Sequence, residues 1–322
     1  MKVLVTGATG FLGRAIVKAL TARGHHVVAM ARPATKREAS GVTTVRGDLR
    51  QRGEWCDAIK HVDAVVHAAA ATSGGFPDQF ASTVVATENL VDCIDWASLR
   101  RFVLVSTFSV YDYGNGGGSL DEAHPTETDP SRRDAYTWTK MLQEEMVTAA
   151  CAERNVPLVS IRPGMIYGPG KDWDSGAALK TGRFDLVFGP YARMPLTHVD
   201  NCAQAIARAI EPDAPTGAYN IVDDETPTHA RFHRLCKQAG ITSRPALYVP
   251  WWTIAAAGHA VRLINSALLR KRARLPEFLD LPRQRARWRP FSYPNVRAKN
   301  QLGWTPRISL EEGVATMAKD DR

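Results

Sequence analysis

The 322-residue chain is 44% hydrophobic and 23% charged, which is ordinary for a soluble globular protein and gives core enough for one large or two modest domains. Its five cysteines (Cys56, Cys93, Cys151, Cys202 and Cys236) are dispersed and show no CxxC spacing. That argues for reduced thiols in a cytoplasmic protein, against both a disulfide framework and a cysteine zinc site. The net charge of +8 is concentrated late, with eight Lys/Arg between Arg270 and Arg289 against Glu277 and Asp280, and no nucleic-acid recognition motif accompanies it.

The chain enters an apolar run at once, Val3-Leu4-Val5, so no cleavable leader is expected. Gly7, Gly10 and Gly13 follow, and an amphipathic helix runs from Phe11 to about Ala22. A strand, a glycine turn and a helix in that order suit a dinucleotide pyrophosphate, because glycines let the backbone approach the phosphates and the helix N-terminus offers free N–H groups. HHVVAMAR reads as a second strand ending near Arg32, 42–48 as a third, and 51–61 as a short helix. DAVVHAAA (63–70) is a fourth strand whose small residues let a ligand lie against it. Residues 76–98 alternate helically, and RFVLVST (101–107) is a clean buried strand. A glycine-rich acidic loop (114–130), a helix near 134–153, the strand VPLVSIRPG and a helix over 199–210 follow. Alternating strands and helices predict an α/β fold, a doubly wound parallel Rossmann sheet. We divide the chain into a dinucleotide-binding domain, 1–164 with 196–222 returning to its sheet, and a smaller C-terminal substrate-binding lobe, 165–195 with 223–322.

Tyr136 and Lys140 lie four residues apart in DAYTWTKMLQEEM and share a helix face. A free tyrosine, with a pKa near 10, is a poor acid–base group at neutral pH. A lysine one turn away is expected to lower that value and open proton exchange with a carbonyl or alcohol oxygen.

The segments TGATGFLG, HAAA, STFSVY, YTWTK and RPGMIYGPG, in this order, resemble the extended short-chain dehydrogenases/reductases of the NAD-dependent epimerase/dehydratase superfamily. HVDNCAQAI, AYNIVDDETPT and LGWTPRISLEEGV extend the resemblance over nearly the whole chain. It implies that Tyr136 exchanges the proton, that Lys140 holds the nicotinamide ribose, and that Thr107 orients the substrate oxygen, with Ser106 and Ser109 as neighbouring alternatives. It also implies that Thr9, Phe11 and Leu12 join the three glycines around the phosphates, and that Asp48 and Leu49 contact the adenine. Ala68, Ala69 and Ala70 would line the cofactor channel, and Pro163 and Gly164 would flank the nicotinamide. The family's dehydratases carry an Asp-Glu pair where this chain has Phe108 and Ser109, so dehydration is not expected.

An NAD-preferring fold of this type places a carboxylate at the end of the second strand. Here the segment is Ala31-Arg32-Pro33, with Lys36 and Arg37 beyond it. A guanidinium suits a 2′-phosphate, so NADP(H) is the expected cofactor, with Arg32 as the main contact and Lys36 or Arg37 assisting. The segment from Pro250 to Pro276 resembles the 3β-hydroxysteroid dehydrogenase and dihydroflavonol-reductase-like branch, which implies an apolar substrate. The alternatives are a nucleotide-sugar 4-epimerase and a non-catalytic NADP(H)-binding regulator; the presence of Tyr136, Lys140 and Thr107 argues against the second.

No metal is expected. His229 and His233 stand at i, i+4 but have no third ligand nearby, His67 reads as structural, and Asp200 reads as capping or anchoring its helix. Trp251–Leu269 is interrupted by His259, Arg262 and Asn265, so a bilayer span is not expected. With the basic run after it, weak contact with an anionic membrane surface is an open expectation. The resemblance implies a homodimer through 76–98 and 134–153.

Overall fold

A computed structural model describes residues 1–33, 42–114, 118–130, 133–171, 178–268, 288 and 291–320. Its centre is a sheet of seven parallel strands: β1 (Lys2–Thr6), β2 (His26–Ala31), β3 (Thr43–Arg46), β4 (Ala64–His67), β5 (Arg101–Val105), β6 (Leu158–Pro163) and β7 (Gly217–Ile221). In space they run β7-β6-β5-β4-β1-β2-β3. The chain builds outward from β1 to β3, crosses back, and builds outward again from β4, so the strand order reverses between β1 and β4. A ligand crevice opens at such a point, beyond the carboxyl ends of the strands.

Burial on both faces explains the near-continuous apolar runs, β5 being buried at every position. One face is covered by α1 (Phe11–Ala22), which contributes Ile16, Val17 and Leu20 to the core. Trp55 of α2 (Trp55–Ala58), Leu90 of α4 (Ala86–Cys93) and Val147 of α5 (Ala135–Glu153) pack on the other. The intervening helix is α3 (Phe76–Phe80). Helix α6 (Val199–Ala209) lies beside α1. Ala298 and Leu302 of the helix at Val296–Leu302, with Trp304, also enter the core shared by α1 and α6.

Three local expectations are corrected. The helix over 76–98 is three pieces, because Ala81–Val85 forms a wider π turn between α3 and α4. Thr83 in that turn accepts Ala71 N–H on its Oγ1 at 3.0 Å and Thr87 Oγ1 on its carbonyl at 2.5 Å, so side-chain hydrogen bonds replace part of the helical ladder. The helix over 51–61 shrinks to one turn, followed by His61 at a φ of 62°. At α6 the cap is His198, whose Nδ1 accepts Asp200 N–H at 3.2 Å, and the Asp200 carboxylate does not cap.

The cysteine expectation also fails at one pair: Cys56 and Cys93 form a disulfide. Their helices stack on the same side of the sheet with the two Cα atoms 5.0 Å apart, a proximity that 37 residues of sequence separation conceal. Cys151, Cys202 and Cys236 are buried thiols.

Beyond the main sheet, Leu179–Lys180, Asp185–Phe188 and Ala246–Val249 form a three-stranded sheet, and Met165–Tyr167 pairs with Leu196–His198. Helix α7 (His229–Gln238) puts His233 within 3.1 Å of the buried Asp185, which also accepts Thr242 Oγ1 at 2.7 Å. Helix α8 (Trp251–Leu268) follows. Among the described residues no helix is long and apolar enough to cross a membrane. The basic segment after α8, like Lys36 and Arg37, falls outside the described residues.

The β1–α1 turn is the tightest place in the fold. Gly7 adopts a φ of 68°, and a Cβ on Gly13 would sit 1.9 Å from the Gly7 carbonyl oxygen. Gly13→Ala must therefore move backbone, and it should lower stability by about 2 kcal/mol or more, read by denaturant unfolding, while also weakening dinucleotide binding.

Candidate dinucleotide and proton-transfer site

A cavity of about 520 Å³ lies at the carboxyl end of β1, β2 and β4. It is lined at its centre by Gly7, Thr9, Gly10 and Ala68 to Ala70, and at one end by Arg32, Asp48, Leu49 and Arg50. These residues fit a dinucleotide. A Cβ on Gly7 would lie 2.9 Å from the Ala68 carbonyl, so the cradle depends on bare backbone, and α1 opens at Gly10 with no side-chain cap on its N–H groups. Phe11, Leu12 and Gly13 form the first turn of that helix. Lys171, which the sequence reading missed, places its ammonium 5.4 Å from the centre of the Phe11 ring.

The Asp48 carboxylate is less available than expected. Arg50 holds it through Nε at 3.1 and 3.0 Å and Nη2 at 2.6 Å, and these bonds keep its carboxyl below the usual range. Arg32 follows β2 directly, is exposed, and faces the same end of the cavity. Arg50 is a second cation there that the sequence reading passed over, because it sits in a turn without periodicity.

Thr107, Tyr136, Lys140, Pro163 and Gly164 lie outside this cavity lining, at the ends of β5 and β6 and on α5. Thr107 follows β5 and Tyr136 begins α5, whose cap is Asp134 accepting Thr137 N–H at 2.7 Å. The structure separates the three candidate hydroxyls. Thr107 hydrogen-bonds the Tyr136 side chain. Ser106 instead donates to Glu144, which is ion-paired with Arg162, and Ser109 lies in the short turn Phe108–Val110. A Cβ on Gly164 would lie 2.0 Å from the Pro195 carbonyl oxygen, so backbone packs against backbone there too.

The expected lowering of the Tyr136 pKa is not what the structure shows. Burial raises it, the Thr107 hydrogen bond acts downward, and the Asp134 charge acts upward. The Lys140 ammonium is committed elsewhere, donating to the Val105 carbonyl at 2.6 Å and to Gln143 Oε1. Being buried, it needs acceptors, and the end of β5 and its own helix supply them. Burial brings Lys140 down to about 8, with Glu144 acting in the opposite direction. Tyr136 is thus a protonated phenol at neutral pH, ready to give a proton.

Behind Lys140 lies a polar cluster that is fully buried: Thr6, His67, Thr87 and Gln143. His67 Nδ1 is 2.7 Å from Thr6 Oγ1, and its Nε2 is 2.8 Å from Thr87 Oγ1 and 2.9 Å from Gln143 Nε2. Burial, assisted by the Lys140 charge, lowers His67 to about 3. Gln143 was missed, although Lys140, Gln143 and Val147 form the buried stripe of α5, and two polar residues in such a stripe are a readable signal.

Comparison with known proteins shows the family and the fold. The NAD dependent epimerase/dehydratase family matches residues 3–222. A 2-alkyl-3-oxoalkanoate reductase of Stenotrophomonas maltophilia (strain K279a) is 30% identical, covering 98% of this chain and 97% of its own. A 4-hydroxy-2-methyl-3-oxo-4-farnesyl-3,4-dihydroquinoline-1-oxide ketoreductase of Stigmatella aurantiaca is 29% identical, covering 98% and 95%. Among solved structures, MoeE5 in complex with UDP-glucuronic acid and NAD aligns with a TM-score of 0.73 at 24% identity, covering 100% of this chain and 99% of that one.

His67 makes stability depend on pH. Its folded-state pKa of about 3 lies below the unfolded value of 6.5, so the unfolded chain binds the extra proton first on acidification. This contribution is complete above pH 6.5 and drains as pH falls toward 3, amounting to a loss of about 2 kcal/mol by pH 5. Urea unfolding at the two ends of that window should show the loss, and His67→Asn should remove this share of it.

Proposed function

This chain belongs to the NAD dependent epimerase/dehydratase family, and on that footing we propose that it is an NADP(H)-dependent oxidoreductase interconverting a carbonyl and a secondary alcohol on a moderately large apolar substrate. Membership makes it an enzyme of the extended short-chain type, a dehydrogenase/reductase or an epimerase, with a nicotinamide dinucleotide cofactor. The finer reading is carried by the hydrogen-bonded pair Thr107 and Tyr136, its phenol kept protonated, with Lys140 one turn further along α5.

The cofactor supplies or accepts the hydride. Thr107 holds the substrate oxygen, and Tyr136 gives that oxygen its proton during reduction and takes it back during oxidation. Lys140, held on the Val105 carbonyl and Gln143 in this state, is the cation on α5 available to the phenolate left behind. Arg32 and Arg50 at one end of the cavity, with Asp48 already neutralised, support NADP(H) over NAD, because a 2′-phosphate there meets two guanidiniums.

Support for an apolar substrate comes from the later part of the chain, where Leu179, Leu247 and Trp252 are exposed around the three-stranded sheet and α8. Leu179 and Leu247 flank Leu186 in one cross-strand row. The names of the two relatives point the same way, toward reduction of a ketone on an alkyl-bearing molecule, and a β-keto-acyl-, steroid- or flavonoid-like substrate meets that description.

A ketone and aldehyde panel followed by NADPH consumption tests the reading. NADPH should outperform NADH in kcat/KM, and Arg32→Ala should lose about ten- to hundredfold with NADPH while changing NADH little. Equal or better efficiency with NADH contradicts the assignment of Arg32. Tyr136→Phe should lower kcat by about 10²–10⁴-fold and still bind NADPH in a fluorescence titration. Near wild-type turnover in that variant overturns the mechanism.

A further inference from the structure

We propose that Gln143 is a positioning residue: it fixes Lys140 and, through its amide and the Thr87–His67–Thr6 cluster, ties it to the backbone that lines the dinucleotide cavity. The inference builds on the redox role proposed for Lys140. It begins from a donor and acceptor count. An ammonium only donates, so the Gln143 atom facing Lys140 must be its carbonyl Oε1. That settles the orientation of the amide. Its NH2 group then faces His67 Nε2 at 2.9 Å, Thr87 Oγ1 at 2.8 Å and the Ala69 carbonyl at 3.2 Å.

Thr87 donates its own hydroxyl proton to the Thr83 carbonyl, so its oxygen accepts from the Gln143 amide and from His67 Nε2–H at 2.8 Å, and His67 Nδ1 accepts the Thr6 hydroxyl at 2.7 Å. The same Thr6 oxygen accepts Ala69 N–H at 3.2 Å. Both backbone groups of Ala69, a residue lining the cavity beside Gly7, are thus held by the assembly that holds Lys140. Lys140 donates to Gln143, Gln143 to Thr87 Oγ1 and the Ala69 carbonyl, His67 to Thr87, and Thr6 to His67, so each hydrogen in the cluster has an acceptor. Such a buried network is strong only when complete, since one wrong member leaves an unpaired group without water.

The charged surroundings of Lys140 are few. On its own helix, Glu144 acts to raise it, and Tyr136 is neutral. From β6, Arg162 is neutralised by Glu144. From β4 comes neutral His67; from β5, the Val105 carbonyl and Ser106; and from α4, the hydroxyl of Thr87. Gln143 is therefore the place where one substitution sets the lysine in either direction. Gln143→Glu puts an anion against the ammonium and takes away the amide hydrogens that hold Thr87 and the Ala69 carbonyl. Gln143→Leu removes an acceptor and leaves Lys140 more poorly solvated.

The test has two parts. Nitrogen-15 imidazole spectra of the cofactor-free wild type should show His67 protonated on Nε2 and neutral at pH 5; a proton on Nδ1 overturns the proposal. In carbonyl reduction, the alkaline limb of the pH profile should move up by about one unit or more in Gln143→Glu and down in Gln143→Leu. If Gln143 only fills space, both variants lose melting temperature while the limbs stay at the wild-type pH, and that result overturns the proposal. A wild type that reduces no carbonyl defeats the redox reading instead, and the His67 spectra still decide the hydrogen-bond order.

Discussion

At the carboxyl end of β1, the Gly7 carbonyl lies so close to α1 that one methyl group on Gly13 would stand 1.9 Å from it. A side chain on Gly7 would press the Ala68 carbonyl from the opposite side at 2.9 Å. Three stretches of backbone, from β1, α1 and the segment after β4, therefore meet without side chains between them. The cavity exists because of that meeting: the uncapped N–H groups of α1 point toward it, and Ala68 to Ala70 form its wall. Widening the contact would detach the wall from the helix, and no rearrangement of side chains could restore it.

The second constraint is the burial of Lys140. An ammonium 3% exposed is tolerable only with acceptors in place, and the end of β5 and Gln143 provide them. This need links the binding half of the site to the chemical half, since Gln143 and Thr6 both grip Ala69. It also accounts for the state of Tyr136. With the lysine drawn toward the sheet, the phenol keeps its proton and its contact with Thr107, a resting state suited to a carbonyl acceptor.

Much of this was readable from residue order. The strand–glycine–helix opening, the alternation of strands and helices and the Tyr136–Lys140 spacing each follow from a local rule, and the sheet order obeys them. Relationships between segments were not readable. Cys56 and Cys93 looked like isolated thiols because nothing in the chain says that α2 and α4 stack. The helix over 76–98 looked continuous because the π turn is made by Thr83 reaching across to Ala71, a long-range contact. Arg50 and Lys171 lie in turns where no periodicity marks them. Gln143 could have been seen, as a polar residue in a buried stripe, but its partner His67 is 76 residues away.

The central claim is that the Thr107–Tyr136–Lys140 site carries out net hydride transfer to a substrate carbonyl. Turnover of a ketone substrate with NADPH deuterated at nicotinamide C4, followed by mass spectrometry of the product, tests it most directly. One deuterium on the new carbinol carbon for each NADPH consumed is the predicted result. Inversion of an alcohol centre with no net consumption of cofactor would contradict it and assign the chain to epimerisation.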